Sequence, residues 1–123
     1  MAKKILLVDD EPDILDFVSI RLKSWGYEVI TAPDGAKAVA LAGDRMPDLI
    51  LLDVMMPGKD GYETCNEIKS DEKTSRIPII LFTAKPQQKE RLKSNYKFIA
   101  ADDCILKPYE SEDLLAKIKK FIP

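Results

Sequence analysis

Four short apolar runs of the sequence each end in a polar residue that is capable of chemistry. The residues at these four places are Asp9 with Asp10, Asp53, Thr83 and Lys107. Three carboxylates can share one site only if a positive charge offsets their repulsion, and Mg²⁺ prefers such oxygen ligands. The lysine adds a movable positive charge and the threonine adds a hydroxyl. This combination predicts a phosphoryl-transfer site whose nucleophile is a carboxylate.

The composition excludes several other kinds of chemistry. The chain has no histidine, which removes Ser-His-Asp and Cys-His catalysis and the commonest ligand of transition metals. Its two cysteines, Cys65 and Cys104, have no CxxC spacing and are predicted to be ordinary thiols. A net charge of −2 argues against a nucleic-acid-binding surface.

Strand-like runs and helix-like repeats alternate five times, as is needed to place the four polar ends together. The predicted strands are Lys4–Val8, Glu28–Ala32, Leu49–Leu52, Ile79–Phe82 and Cys104–Leu106. The predicted helices run from Pro12 to near Gly26, from Asp34 to Gly43, from about Tyr62 to Ser70, for roughly ten residues from Gln87, and from Ser111 to Ile122. This order predicts an α/β fold with three layers, in which helices cover both faces of a five-stranded parallel sheet.

The leading topology for such a chain is the doubly wound, flavodoxin-like strand order 2-1-3-4-5. Its switch point lies between the first and third strands. Asp9 and Asp10 follow the first strand and Asp53 follows the third, so we expect the three carboxylates to meet at this edge.

The chain fits a single domain of 123 residues. Its longest apolar runs are four or five residues, too short to span a membrane. The run that follows the N-terminal lysines stops at Asp9, which is too early for a signal peptide. These features predict a cytoplasmic protein.

Four segments resemble the receiver domain of two-component response regulators, in particular the chemotaxis-type single-domain regulators. They are Leu7–Pro12, Leu52–Gly58, Leu81–Lys85 and Leu106–Tyr109. The likeness covers the whole chain in the right order and spacing. It implies that residues 1–123 form one receiver domain, with no output domain in this chain. It also implies a signalling switch that catalyses only its own phosphorylation and dephosphorylation, not a turnover enzyme.

The resemblance implies a role for each residue of the site. Asp53 is the expected phosphoacceptor, which takes a phosphoryl group from a phosphohistidine on a sensor kinase. Lys107 is expected to contact the phosphoryl oxygens, with a cis peptide bond before Pro108, and Thr83 to act as the switch hydroxyl. The implied Mg²⁺ ligands are Asp9, Asp10, Asp53 and the backbone carbonyl of Met55.

The implied partners are proteins. A sensor histidine kinase or a phosphotransfer protein supplies the phosphoryl group, and a downstream protein target binds the predicted fourth helix, fifth strand and fifth helix. No direct nucleic-acid or membrane contact is implied. The chain is expected to be a monomer or a phosphorylation-dependent dimer.

Three positions depart from the family pattern. Cys104 stands at the switch position where most receivers have an aromatic residue, Ala100 stands where glycine is usual, and Pro86 enters the loop after Thr83. They motivate an alternative function, a receiver-like protein-binding scaffold that acts without phosphorylation. A third possibility is a Mg²⁺-dependent phosphatase. The chain lacks the DxD sequence that such an enzyme is expected to have after its first strand.

Other polar and aromatic residues have predicted structural roles. Asp60, in the turn Asp60–Gly61, is predicted to cap a helix, the segment Asp71–Arg76 to be a solvated loop, and Asp102 with Asp103 to be a solvated pair. Phe17 is predicted to widen the inward face of the first helix. Tyr109 is a candidate for a partner surface.

Overall fold

The structure, a computed structural model, describes residues 2–83 and 101–123. The strands are β1 Lys4–Val8, β2 Glu28–Ala32, β3 Leu49–Asp53, β4 Ile79–Thr83 and β5 Asp103–Leu106. The helices within these ranges are α1 Pro12–Ser24, α2 Gly35–Arg45, α3 Gly61–Ser70 and α4 Ser111–Phe121. The helix predicted from Gln87 lies outside the described residues, as do Pro86 and Ala100.

All five strands form one parallel sheet in the order β2-β1-β3-β4-β5. The fold class and strand order predicted from the sequence are therefore confirmed. In the register of the sheet, Val8 lies opposite Leu52 and Thr83 lies opposite Leu106. The carboxyl ends of four neighbouring strands therefore line up along one edge, which is the edge where an open α/β sheet binds ligands.

The sheet separates two hydrophobic cores, because successive residues of a strand point to opposite faces. In β3, Ile50 and Leu52 face the core shared with α2 and α3. Leu49 and Leu51 face the core shared with α1 and α4. All four side chains are fully buried, which explains why the strand is an unbroken aliphatic run rather than an alternating one.

The helix ends follow local rules of sequence. Pro12 is at the first turn of α1, and Gly26, with a φ of 95°, lies just beyond its end. The Asp60 carboxylate accepts a hydrogen bond from the Glu63 amide at 2.9 Å, so the predicted cap of α3 is confirmed. Helix α2 ends at Arg45, two residues beyond the predicted Gly43.

The prediction that Asp102 and Asp103 form a solvated pair is only partly right, because Asp102 is exposed but Asp103 is half-buried, and both carboxylates have partners. Asp102 accepts a hydrogen bond from the Ile79 amide at 2.8 Å and pairs with Lys69 at 2.9 Å. Burial opposes ionisation of Asp103, but hydrogen bonds from the Cys104 amide and from Lys117 outweigh it and lower the pKa of Asp103. Both carboxylates hold neighbouring elements together.

Two further predictions need correction. The segment Asp71–Arg76 is not simply solvated, because Thr74 is buried and its hydroxyl donates to the Ile68 carbonyl at 2.6 Å. Phe17 does not widen the inward face of α1, since its side chain is 65% exposed. Among the described residues, no helix combines the length and the apolar character needed to cross a membrane.

Candidate functional site

Three carboxylates meet at the carboxyl edge of the sheet. Asp53 ends β3, and Asp9 and Asp10 directly follow β1. One oxygen atom from each of the three side chains lies within 4.8 Å of the other two. Asp9 and Asp53 are buried, whereas Asp10 is exposed to solvent. The strand order thus brings together the carboxylates that the sequence predicts to converge.

Lys107 lies beside this cluster at the end of β5. Its Nζ atom is 3.2 Å from Oδ1 of Asp53 and 3.7 Å from Oδ2 of Asp9. The bond between Lys107 and Pro108 is cis, as the resemblance implied. One ammonium group therefore contacts two of the three carboxylates.

The charge balance at Asp53 is unfavourable to its ionised form. Burial is the largest cause and raises the pKa of Asp53, and the negative charges of Asp9 and Asp10 raise it further. Lys107 lowers the pKa but does not cancel these effects. Three clustered carboxylates with one lysine form a set of hard oxygen donors with excess negative charge, and such a set fits a divalent cation of the Mg²⁺ type.

Thr83 ends β4 next to the cluster. Its side chain is fully buried, and its hydroxyl makes no hydrogen bond within the described residues. Its backbone carbonyl accepts a hydrogen bond from the amide of Lys107 at 2.6 Å. The positions of Thr83 and Lys107 are therefore linked through the backbone.

The loop after Asp53 is folded back on itself. The Val54 carbonyl accepts hydrogen bonds from the amides of Met56 at 3.2 Å and Gly61 at 3.0 Å. A Cβ atom at Gly61 would lie 2.5 Å from the carbonyl oxygen of Asp53. Gly61 thus allows the start of α3 to lie close to the site. Its interpretation from the sequence as a turn residue does not reveal this.

Met55 lies in the same loop with its side chain 56% exposed. Its position, two residues after Asp53, keeps its backbone near the carboxylates. The exposure of the Met55 side chain could not be predicted from the sequence, because Met55 is apolar and follows the run Leu49–Leu52, which is completely buried.

An aromatic stack supports Lys107. The rings of Phe82 and Tyr109 are 5.4 Å apart and nearly parallel, with an interplanar angle of 9°. The Nζ atom of Lys107 lies 5.8 Å from the centre of the Phe82 ring. Burial raises the pKa of Tyr109. The position of Tyr109, two residues after Lys107, is the signal in the sequence that could have identified this support.

Cys104, the predicted switch position, lies on β5 opposite Leu81. Its side chain is half-buried and packs against the core under α2 and α3. Its role in switching stays a prediction.

Comparison with known proteins identifies the family. Residues 5–119 match the family described as response regulator receiver domain. The chain is 40% identical over 119 residues to the DNA-binding dual master transcriptional regulator RpaA of Synechocystis, with 97% of this chain and 48% of that protein aligned. It therefore spans about half the length of this curated relative.

Two solved structures have the same fold. The chemotaxis protein CheY4 of Vibrio cholerae is 32% identical with a TM-score of 0.86, covering 98% of this chain and 99% of that one. The receiver domain of a sensor histidine kinase from Pseudomonas aeruginosa is 34% identical with a TM-score of 0.89, covering 99% and 98%. That structure has a magnesium ion coordinated in the active-site cleft. The chain belongs to the response regulator receiver domain family.

Proposed function

We propose that this chain is a phosphoacceptor switch of a two-component system, phosphorylated on Asp53. The observation that carries the proposal is the placement of buried Asp53 beside two further carboxylates and in contact with the Lys107 ammonium. A carboxylate that only capped a loop would have no use for this concentration of charge.

The proposed reaction is transfer of a phosphoryl group from a phosphohistidine of a sensor kinase. A carboxylate oxygen of Asp53 bonds to phosphorus, the phosphorus–nitrogen bond breaks, and the imidazole leaves with the bonding electron pair and takes up a proton. The product is an acyl phosphate on Asp53. Lys107 helps to keep Asp53 ionised before the reaction and is placed to contact the phosphoryl oxygens after it.

The proposed cofactor is Mg²⁺, held by Asp9, Asp10, Asp53 and the backbone carbonyl of Met55. The oxygen cluster of this chain and the magnesium ion in the Pseudomonas relative support the proposal. When bound, the ion would neutralise part of the negative charge on the carboxylates and the phosphoryl group.

Thr83 is the proposed responder. Its hydroxyl is buried and has no hydrogen-bond acceptor among the described residues. Phosphorylation adds acceptor oxygens at Asp53, and a hydrogen bond from Thr83 to one of them would satisfy this unpaired donor. The movement would pass to neighbouring β5, where Cys104 replaces the usual aromatic residue.

The proposed setting is the cytoplasm, where the chain acts as one receiver domain over residues 1–123. Its donor is a histidine kinase or a phosphotransfer protein. Its target is a protein that binds the helix predicted from Gln87 together with β5 and α4. RpaA is described as DNA-binding, but the net charge of −2 on this chain does not favour direct contact with DNA.

A second candidate is a scaffold that binds its partner without phosphorylation. The feature that favours it is half-buried Cys104, which stands where most receivers have an aromatic residue. A small thiol would couple less strongly to a movement of Thr83. The two candidates differ in whether Asp53 accepts phosphate.

The decisive experiment treats the chain with Mg²⁺ and a small-molecule phosphodonor and measures the intact mass. We expect one added phosphoryl group on the wild type, none on Asp53→Asn, and one on Asp60→Asn, since Asp60 only caps α3. Chelation of Mg²⁺ should prevent the addition. A wild type that gains no phosphate would overturn the proposed switch and favour the scaffold.

A further inference from the structure

Helix α1 has an outward face that carries two of the large apolar side chains exposed on the described surface. Phe17 is 65% exposed and Ile20 is 70% exposed, and they are three positions apart in the sequence, so they are neighbours on one face of the helix. The other large apolar residues exposed within the described ranges, Met46 and Met55, lie apart from each other, at the end of α2 and in the loop after β3. A pair of adjacent exposed apolar side chains is typical of a contact surface.

Arg21 contacts both Phe17 and helix α4. The guanidinium group of Arg21 lies 5.9 Å from the centre of the Phe17 ring. Arg21 also donates a hydrogen bond at 2.7 Å to the hydroxyl of Ser111, the first residue of α4. The flank of α1 that carries Phe17 is therefore the one that faces α4, and the Phe17 ring has a cation-π contact there.

The opposite flank of α1 carries charge. Asp16 and Lys23 line a groove together with Val29 and Thr31 of the edge strand β2. Asp16 lies one turn before Ile20 and Lys23 lies one turn after it. The outward face thus has Ile20 at its centre, an acid and a base on one flank, and an aromatic ring on the other.

This arrangement is self-complementary. If a second α1 lies antiparallel across a two-fold axis at Ile20, each flank meets the same flank of the other copy. Asp16 then faces Lys23 of the second copy, and Lys23 faces its Asp16. Phe17 faces the small side chain of Ser24, which is two turns from Phe17 on the same flank. Many helices have an acidic residue near their start and a basic residue near their end. Here, in addition, the charged pairs lie on either side of the apolar contact at Ile20, and the large side chain of Phe17 meets the small one of Ser24.

We propose that two copies of this chain associate through the outward faces of their α1 helices, antiparallel about Ile20. The expected interface is small. A helix of 13 residues is about 20 Å long, and a contact of one helix per copy falls at the low end of interface sizes. The association is therefore weak and concentration-dependent. The proposed contact uses no residue of the Asp53 site, so the proposal stands or falls separately from the proposed function.

Sedimentation equilibrium of the unphosphorylated protein tests the proposal. Measurements from about 10 µM to about 1 mM cover the range in which small interfaces become populated. We expect the weight-average mass to rise from the 13.9 kDa of one chain toward twice that value. Ile20→Lys should keep the mass of a single chain throughout. Met46→Lys is the matched control on the other side of the sheet and should associate like the wild type.

A charge exchange tests the orientation. Asp16→Lys alone places lysine against lysine and should weaken association about tenfold or more at low salt, because like charges then face each other. Adding Lys23→Asp to this variant restores opposite charges across the axis and should return association close to the wild-type strength. Far-UV circular dichroism and urea midpoints establish that each variant is folded.

Three outcomes would overturn the proposal. The first is a wild type that keeps the mass of one chain at every concentration. The second is a double exchange that associates no better than Asp16→Lys. The third is an Ile20→Lys variant that loses phosphoryl uptake from a histidine kinase while its self-association is unchanged, which would assign the face to a different protein.

Discussion

The two thiols of the chain lie in contrasting surroundings although the sequence treats them alike. Cys65 of α3 is fully buried, and burial raises the pKa of its thiol to about 12. Cys104 of β5 is half-buried. Because the thiolate is the reactive form, Cys65 lacks both access to reagents and the charge needed to attack them.

We therefore expect a thiol reagent at pH 8 to modify only Cys104 in the folded protein. Cys65 should react slower by at least on the order of a hundredfold until the chain is unfolded in urea. The measurement is a count of modified thiols against time. Cys104→Ser should show almost no reaction when folded, whereas Cys65→Ser should react like the wild type. Equal rates for the two thiols in the folded wild type would contradict this prediction.

Helix α3 reaches the site closely because its first residue has no side chain. A Cβ atom at Gly61 would lie 2.5 Å from the Asp53 carbonyl oxygen and 2.6 Å from the Cα atom of Val54. Both neighbours are backbone atoms and cannot move aside without shifting the end of β3. Gly43 in α2 is different, since a Cβ atom there would have no heavy atom within 4 Å.

Gly61→Ala should therefore disturb Asp53, and Gly43→Ala should not. We expect Gly61→Ala to lower the free energy of unfolding by about 1–3 kcal/mol and to slow phosphate uptake about tenfold or more. Gly43→Ala should raise the free energy of unfolding by about 0.5–1 kcal/mol and leave phosphate uptake unchanged. Urea titrations and the intact-mass assay measure the two effects. Normal uptake by a folded Gly61→Ala variant would show that α3 can retreat without moving Asp53.

Lys69 links α3 to the segment before β4 and to Asp102, which precedes β5. Its Nζ atom donates to the Ile77 carbonyl at 2.7 Å and to the Ser75 carbonyl at 3.2 Å, and it pairs with Asp102 at 2.9 Å. Its side chain is only 11% exposed. Removing it leaves two carbonyls and a carboxylate without this partner.

We expect Lys69→Met to lower the free energy of unfolding by about 1–3 kcal/mol, because two carbonyls and a carboxylate lose a largely buried donor. Lys120→Met is the matched control. Lys120 is 66% exposed, and Asp103 keeps its pair with Lys117, so the change should stay within about 0.5 kcal/mol. Denaturation in urea at neutral pH gives both values. Similar values for the two variants would mean that Lys69 forms only a surface ion pair.

For the molecule as a whole, the sequence predicted the features that follow from periodicity. Alternating strands and helices implied the parallel sheet, and parallel strands place their ends at one edge, so the meeting of Asp9, Asp10 and Asp53 followed. The register of neighbouring strands then fixed how close these residues lie.

Contacts between residues far apart in sequence could not be predicted in this way. The partners of Asp102, Lys69 and Ile79, could not be predicted because they lie more than twenty residues away. Gly61 looked like a turn residue because only the folded loop brings its Cα against Asp53. Phe17 matched a helical repeat, but the buried face of α1 centres on Val18 and Leu22.

The charged site also lowers the stability of the whole folded molecule. The pKa of Asp53 is raised because burial and the charges of Asp9 and Asp10 outweigh Lys107. A raised carboxyl pKa means that the ionised form is less favourable in the folded than in the unfolded chain, so at neutral pH the charge of Asp53 lowers stability. Functional sites often oppose stability in this way.

Asp53→Asn should therefore be more stable than the wild type when Mg²⁺ is removed by a chelator, by about 0.5–2 kcal/mol in urea unfolding. Saturating Mg²⁺ should reverse the order. A ligand at a hundred times its dissociation constant stabilises the folded state by about 2.7 kcal/mol, and Asp53→Asn, which lacks one proposed ligand, should gain less. Asp60→Asn should respond to Mg²⁺ like the wild type, because Asp60 only caps α3. If Asp53→Asn is less stable than the wild type without Mg²⁺, the ion pair with Lys107 outweighs burial and repulsion, and the site carries no cost to stability.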